Sequence, residues 1–159
     1  MIGQPELFPR YCIDSSVLIN IIRGYPRDLF PTIWEKLERL IKEDKLVSHI
    51  EVYNEIKNGK DSLLVWCKQN KKMFIDIDDC QRMEIKKIQK KYNPSYWNLE
   101  INKNGPWADP WLIALSICEN LILVTDEGNS ENRIPYIANI LKVKCLGRID
   151  FFREIGVKY

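Results

Sequence analysis

The stretch YCIDSSVLIN, residues 11–20, decides how the rest of the chain is read. Tyr11, Cys12 and Ile13 have the character of a buried β-strand, and Val17, Leu18 and Ile19 that of a buried turn after it. Asp14 stands between them, followed by the small hydroxyls Ser15 and Ser16. Burying an unpaired carboxylate at such a point costs on the order of several kcal/mol. Asp14 therefore either caps a helix or holds something.

Outward from this stretch, strand-like apolar runs recur at residues 46–48, 73–77, 121–125 and 143–146. Helical patterns fill the intervals. Residues 31–42 place Ile33, Leu37, Leu40 and Ile41 at helical spacing, with Pro31 in the first turn. Ser48–His49–Ile50–Glu51 has the form of a capping box opening a helix that ends near Gly59. Asp61 is placed to cap residues 62–69. Asp78 or Asp79 is placed to cap residues 81–91, which stop at Tyr92–Asn93–Pro94. Residues 108–119, 137–141 and 149–155 complete the set. Strands alternating with helices predict a three-layer α/β/α domain with a central, mainly parallel sheet of about five strands. The segment NPSYWNLEINKNGPW, residues 93–107, reads as a long loop carrying Tyr96, Trp97 and Trp107. Those rings either cover a core edge or form a binding surface.

Composition narrows the class. With 159 residues, 45% hydrophobic and 29% charged, the chain is expected to form one soluble domain over residues 1–159. No apolar run approaches a membrane span, and MIGQPELFPR lacks the form of a signal peptide, so the expected compartment is the cytoplasm. Cys12, Cys67, Cys80, Cys118 and Cys145 are widely spaced without a CxxC pair; they are expected to be buried, reduced thiols rather than zinc ligands. His49 is the one histidine, which leaves carboxylates as the agents of any catalysis. It is expected to serve in a turn. A net charge of +2 does not by itself point to nucleic acid. Yet Arg82, Lys86, Lys87, Lys90 and Lys91 cluster with Glu84 alone against them. The cluster is either the solvated face of a helix or a phosphate-facing stripe.

The acids carry the functional argument. In a parallel sheet all strands end at one edge, where the N-termini of the following helices also lie. Asp14 ends the first strand; Asp126 and Glu127 end the strand at residues 121–125. Asp109 begins the helix before that strand. Glu55 lies one turn past Glu51 and can point at the same crevice. Singly, each has a plain explanation: Asp14 as a cap, Asp109 as an N-cap before Pro110, Glu55 as a solvated helix acid. Together they are four remote carboxylates at one edge. Clustered like charges oppose folding unless neutralised. Oxygen-only ligation favours Mg²⁺ or Mn²⁺, ions suited to phosphodiester hydrolysis.

An apolar strand ending in Asp-Ser, a mid-chain Glu, then ADPWLIALS (108–116) and LILVTDE (121–127) resembles the PIN domain in order and spacing. EVYNEIKNGKDSLLVWCK (51–68) and CLGRIDFFREIGVKY (145–159) look closest to a little-characterised PIN-like branch. The resemblance covers nearly the whole chain. It implies a metal-dependent endoribonuclease, the toxin of a VapC-type toxin–antitoxin pair, with an RNA substrate, a cognate antitoxin and a homodimer. It also implies that Asp14, Glu55 and Asp109 hold Mg²⁺ or Mn²⁺. The fourth acid usually follows as Thr-x-Asp; VTDE here puts Glu127 at that position and Asp126 one earlier. Ser15 and Thr125 match hydroxyls that support the carboxylates, and residues 82–91 and the aromatic segment become candidates for RNA contact.

Rival readings are a non-catalytic PIN scaffold binding RNA or a protein, and a haloacid-dehalogenase-type phosphatase. The latter wants a second acid where Ser16 stands. A dinucleotide-binding domain is excluded, because no GxGxxG follows the first strand.

Overall fold

The computed structural model describes residues 9–59 and 61–158. The reading of MIGQPELFPR therefore falls mostly outside the described residues. The elements run β1 (Tyr11–Ile13), α1 (Ser15–Gly24), α2 (Pro31–Lys42), β2 (Leu46–His49), α3 (Ile50–Ile56) and α4 (Ser62–Gln69). A 3-10 turn at Lys71–Met73 leads into β3 (Phe74–Ile75), α5 (Asp79–Gln89), α6 (Pro94–Ile101) and α7 (Asp109–Glu119). β4 (Ile122–Val124), α8 (Ile134–Ile140), β5 (Cys145–Leu146) and α9 (Arg148–Ile155) follow.

The sheet has the order β3-β2-β1-β4-β5 and every pairing is parallel. Tyr11 pairs with Leu46 on one side and Ile122 on the other. β1 is thus the central strand, and Cys12 and Ile13 are fully buried, as an uninterrupted apolar strand requires. From β1 the chain first winds outward through β2 to β3, then crosses back to β4 and β5. Right-handed crossovers place the helices of these two halves on opposite faces. Trp34 of α2 meets Trp66 of α4 on the first face, and α9 returns to it through Phe151 against Tyr11 and Phe152 against Tyr25. The reversal of direction leaves a crevice between the C-terminal ends of β1 and β4. Asp14 and the segment Thr125–Asp126–Glu127 sit at its mouth.

Several expectations need correction. Asn93–Pro94 does not open a loop; it starts α6. The Asn93 side chain accepts from the Ser95 and Tyr96 amides at 2.9 and 3.2 Å, and Pro94 takes the first helical position. The helix after β2 is capped by His49, not Ser48. Nδ1 of His49 accepts from the Glu51 amide at 3.0 Å, and Ser48 stays in the strand with its hydroxyl donating to Ile13 O at 2.6 Å. Asp109 is the first residue of α7, with Ala108 as N-cap, and makes no side-chain cap. The strands at residues 73–77, 121–125 and 143–146 shorten to Phe74–Ile75, Ile122–Val124 and Cys145–Leu146.

The five thiols are not all reduced, nor all buried. Cys80 and Cys118 form a disulfide with Cα atoms 6.1 Å apart, and Cys80 is exposed. It ties the first turn of α5 to the last turn of α7, so the two helices run antiparallel. With the cysteines 38 positions apart in the chain, the cross-link is expected to stabilise the fold by roughly 2–4 kcal/mol through the unfolded chain. Reduction should lower the denaturant midpoint by a matching amount, and Cys80→Ser should do the same. An unchanged midpoint would assign the bond no role in stability.

Candidate active site

Asp14 is buried to 3% exposure although it carries a carboxylate. Its backbone is extended like that of an N-cap, but its side chain makes no cap bond. Three hydroxyls hold it instead. Ser16 donates to Oδ2 at 2.8 Å, Thr125 to Oδ2 at 2.9 Å, and Ser15 to Oδ1 at 3.3 Å. Both Ser16 and Thr125 are themselves fixed: Ser16 Oγ accepts the Asp126 amide at 3.1 Å, and Thr125 Oγ1 accepts the Glu127 amide at 3.1 Å. The ends of β1 and β4 are thus stitched together around one acid. Burial raises the Asp14 pKa, and the three hydroxyls oppose that rise.

Glu55 reaches the same crevice from α3. Ser15 Oγ donates to its Oε1 at 3.3 Å while also touching Asp14, and the Ala108 amide donates to Oε2 at 3.3 Å. One hydroxyl therefore bridges two carboxylates, and Glu55 is tied to the residue before Asp109. Burial, opposed by the Ala108 bond and reinforced by the Asp14 charge, pushes Glu55 up to about 7.

Among the acids, Glu127 acts most strongly on Asp109. Burial first, then the carboxylates of Glu127, Asp14 and Glu55, push Asp109 up to about 9. Glu127 is raised as well, by burial and Asp14, although the Ile134 amide at 3.1 Å and Arg133 at 3.7 Å favour its charge. Their mutual influence favours the protonated form of Asp109 and the charged form of Glu127.

Asp126 is engaged differently. Asn20 donates to its Oδ2 at 2.8 Å, the Arg148 amide to Oδ1 at 3.3 Å, and the Arg148 guanidinium lies 3.4 Å away. It fastens α9 to α1. Adjacent acids after one strand thus face opposite ways, Asp126 toward α1 and α9, Glu127 toward Asp109 and the start of α8.

Every donor in the crevice is a carboxylate or hydroxyl oxygen. Such a set, in which Asp14 raises the pKa of the other three acids, fits a hard divalent cation in its chemistry. Among the described residues no group of three His, Cys, Asp or Glu side chains is drawn close enough to hold an ion. The carboxylates converge without closing.

The residues around the site sort by distance along α5 and α7. Because these helices are antiparallel, the end of α5 carrying Lys86, Lys87, Lys90 and Lys91 lies toward Asp109, and Arg82 lies away from it, paired with Asp79 at 2.8 Å. Lys87 pairs with Glu84 at 3.6 Å. Trp97 is buried, whereas Tyr96 and Trp107 are half-buried beside Tyr92. His49 is fully buried, bonded to Gln81 at 2.7 Å and stacked on Trp111; burial lowers its pKa and keeps it neutral. Sequence reasoning missed Ser16 and Arg133 as neighbours of the acids. Ser16 had a signal, since its hydroxyl lies within one turn of Asp14; Arg133 had none.

A family model described as "Domain of unknown function (DUF4411)" matches residues 11–159. No curated protein matches the chain. Among solved structures, the chain is similar to VapBC2 from Rickettsia felis, solved bound to a DNA fragment from its promoter. The TM-score is 0.51 at 15% identity, over 86% of this chain and 97% of that one. It is also similar to PAE2754 from Pyrobaculum aerophilum, with a TM-score of 0.47 at 15% identity over 99% of this chain and 96% of that one. The likeness to VapBC2 places the fold as PIN-like. Among the described residues, no helix is long and apolar enough to cross a membrane.

Proposed function

The chain belongs to the DUF4411 family of unknown function, and from its fold and its acids we propose that it is a divalent-cation-dependent endoribonuclease. The observation that carries this reading is the crevice at the sheet's switch point. There Asp14, Glu55, Asp109 and Glu127, from four remote segments, all have raised pKa values: burial is the first cause in each, Asp14 adds to the rise of the other three, and Glu55 and Glu127 add to that of Asp109. A protein has little reason to gather such charges unless a cation neutralises them.

In this reading Asp14, Asp109 and Glu127 hold Mg²⁺ or Mn²⁺, with Ser15, Ser16 and Thr125 fixing the Asp14 carboxylate. The ion supplies charge neutralisation at the phosphoryl oxygens of the RNA. Glu55, pushed up to about 7, is poised to orient the attacking water and take its proton near neutral pH. Water is the nucleophile and no covalent enzyme intermediate forms. Lys86, Lys90 and Lys91, on the α5 end nearest Asp109, are placed to meet the RNA backbone. Tyr96 and Trp107 offer half-buried ring faces for bases. The likeness to VapBC2 in fold supports a further step: the protein acts as the toxin of a two-gene pair, restrained by a cognate antitoxin.

A non-catalytic scaffold is the second reading, favoured by the absence of a closed three-carboxylate group among the described residues. One panel separates the two. Wild-type protein, Asp126→Asn and Glu127→Gln are given a mixed RNA pool with and without Mn²⁺, and their melting temperatures are followed as Mn²⁺ is added. Wild type should cut and gain thermal stability by linkage. Glu127→Gln should lose both responses. Asp126→Asn should keep both but start from a lower melting temperature, because the Asn20 and Arg148 contacts are weakened. A wild type that neither cuts nor shifts leaves the scaffold.

A further inference from the structure

Tyr92 ends the α5 segment and turns inward, at 3% exposure. Its ring stacks on Tyr96 at 6.0 Å and meets Trp97 at 5.3 Å and Trp107 at 5.5 Å. The next residue is pinned, since the Asn93 amide donates to Asn132 Oδ1 at 2.8 Å. The hydroxyl, however, is cut off from solvent and has no hydrogen-bond partner among the described residues. Buried tyrosine hydroxyls normally find one. This one lies within electrostatic reach of the Asp109 and Glu127 carboxylates, which together with burial keep the phenol protonated.

The acids show the matching deficit. Asp14 has three hydroxyl donors, Glu55 has Ser15 and the Ala108 amide, and Glu127 has the Ile134 amide and Arg133. Among the described residues Asp109 has no hydroxyl, amide or cationic donor; its one side-chain hydrogen-bond neighbour is the Glu127 carboxylate. Tyr92, whose ring meets Trp107 two residues before Asp109, is a donor without an acceptor beside a carboxylate without a neutral donor.

We propose that Tyr92 is a positioning residue of the acid site, whose hydroxyl donates to the Asp109 carboxylate and holds it toward the cation. The proposal rests on the metal-site reading above. A carboxylate that binds a metal is commonly oriented by such a donor, and losing the donor weakens metal binding by about 10–100-fold. A purely packing role for Tyr92 makes a different forecast, because phenylalanine keeps every ring contact.

The test is Tyr92→Phe, with free Mn²⁺ counted by its electron paramagnetic resonance signal during titration of the intact chain. The metal-free variant should melt at or above the wild-type temperature, because the oxygen removed has no partner. Its Mn²⁺ dissociation constant should rise about tenfold. A constant equal to wild type overturns the proposal and leaves the metal site standing. A metal-free variant that melts well below wild type assigns Tyr92 to packing and also overturns it. If wild type itself holds no Mn²⁺, the proposal and the metal-site reading fall together.

Discussion

Asp14→Asn should abolish divalent-cation-dependent RNA cleavage, by about a thousandfold or more, while the protein stays folded. The size follows from what is removed. A metal ligand contributes through the several kcal/mol of charge stabilisation that the ion provides, and each 1.36 kcal/mol is about a factor of ten in rate. Folding survives because the pocket is built from hydroxyls. Ser15, Ser16 and Thr125 donate to Asp14 now, and each oxygen can turn to accept from an Asn amide in the same place. The substitution also removes a charge that burial disfavours, so the metal-free variant should melt no lower than wild type. The measurement pairs a cleavage time course in Mn²⁺ with a melting curve. Retained cleavage in a folded Asp14→Asn variant would falsify the mechanism.

The same pocket explains what could be read from the sequence. Asp14 and the end of β4 were legible because strands that run parallel must end together. An acid after a buried apolar run has few plain uses, and the capping use proved empty: the Asp14 side chain takes no cap bond. The choice between Asp126 and Glu127 was not legible. It depends on Asn20 and Arg148, which are remote in sequence and reach only one of the two neighbours. Asn93–Pro94 carried two meanings, as it both stops one helix and caps the next, and the first meaning hid α6. Ser48–His49 failed by one position because a histidine nitrogen took the capping role expected of a hydroxyl. The Cys80–Cys118 bond had no spacing motif to announce it; it follows from the antiparallel packing of α5 and α7. Tyr92 read only as the end of a helix, since an unpartnered hydroxyl is a fact about its surroundings.

The response to Mg²⁺ should depend steeply on pH, and the raised acids fix its sign. Asp109 moves from 3.8 to about 9 and Glu55 from 4.5 to about 7 on folding. A raised carboxyl binds its proton more tightly in the folded state, so between the two values the native protein holds more protons than the unfolded chain. Stability from these groups is fully present below about pH 4, and it declines as pH rises through about 7 for Glu55 and about 9 for Asp109. The cation takes the opposite side, because it binds the deprotonated carboxylates and must displace whatever protons remain. From pH 6 to pH 8 Mg²⁺ binding should tighten, by up to about tenfold per pH unit for each proton displaced. Metal-free melting temperatures should therefore fall over this range through these acids, while the increment given by a fixed Mg²⁺ concentration grows. Glu127→Gln separates the acids from the rest of the protein: without the partner that helps hold the proton on Asp109, both trends should flatten. Equal Mg²⁺ increments at pH 6 and pH 8 in wild type would mean that the ion binds elsewhere than at Asp109 and Glu127.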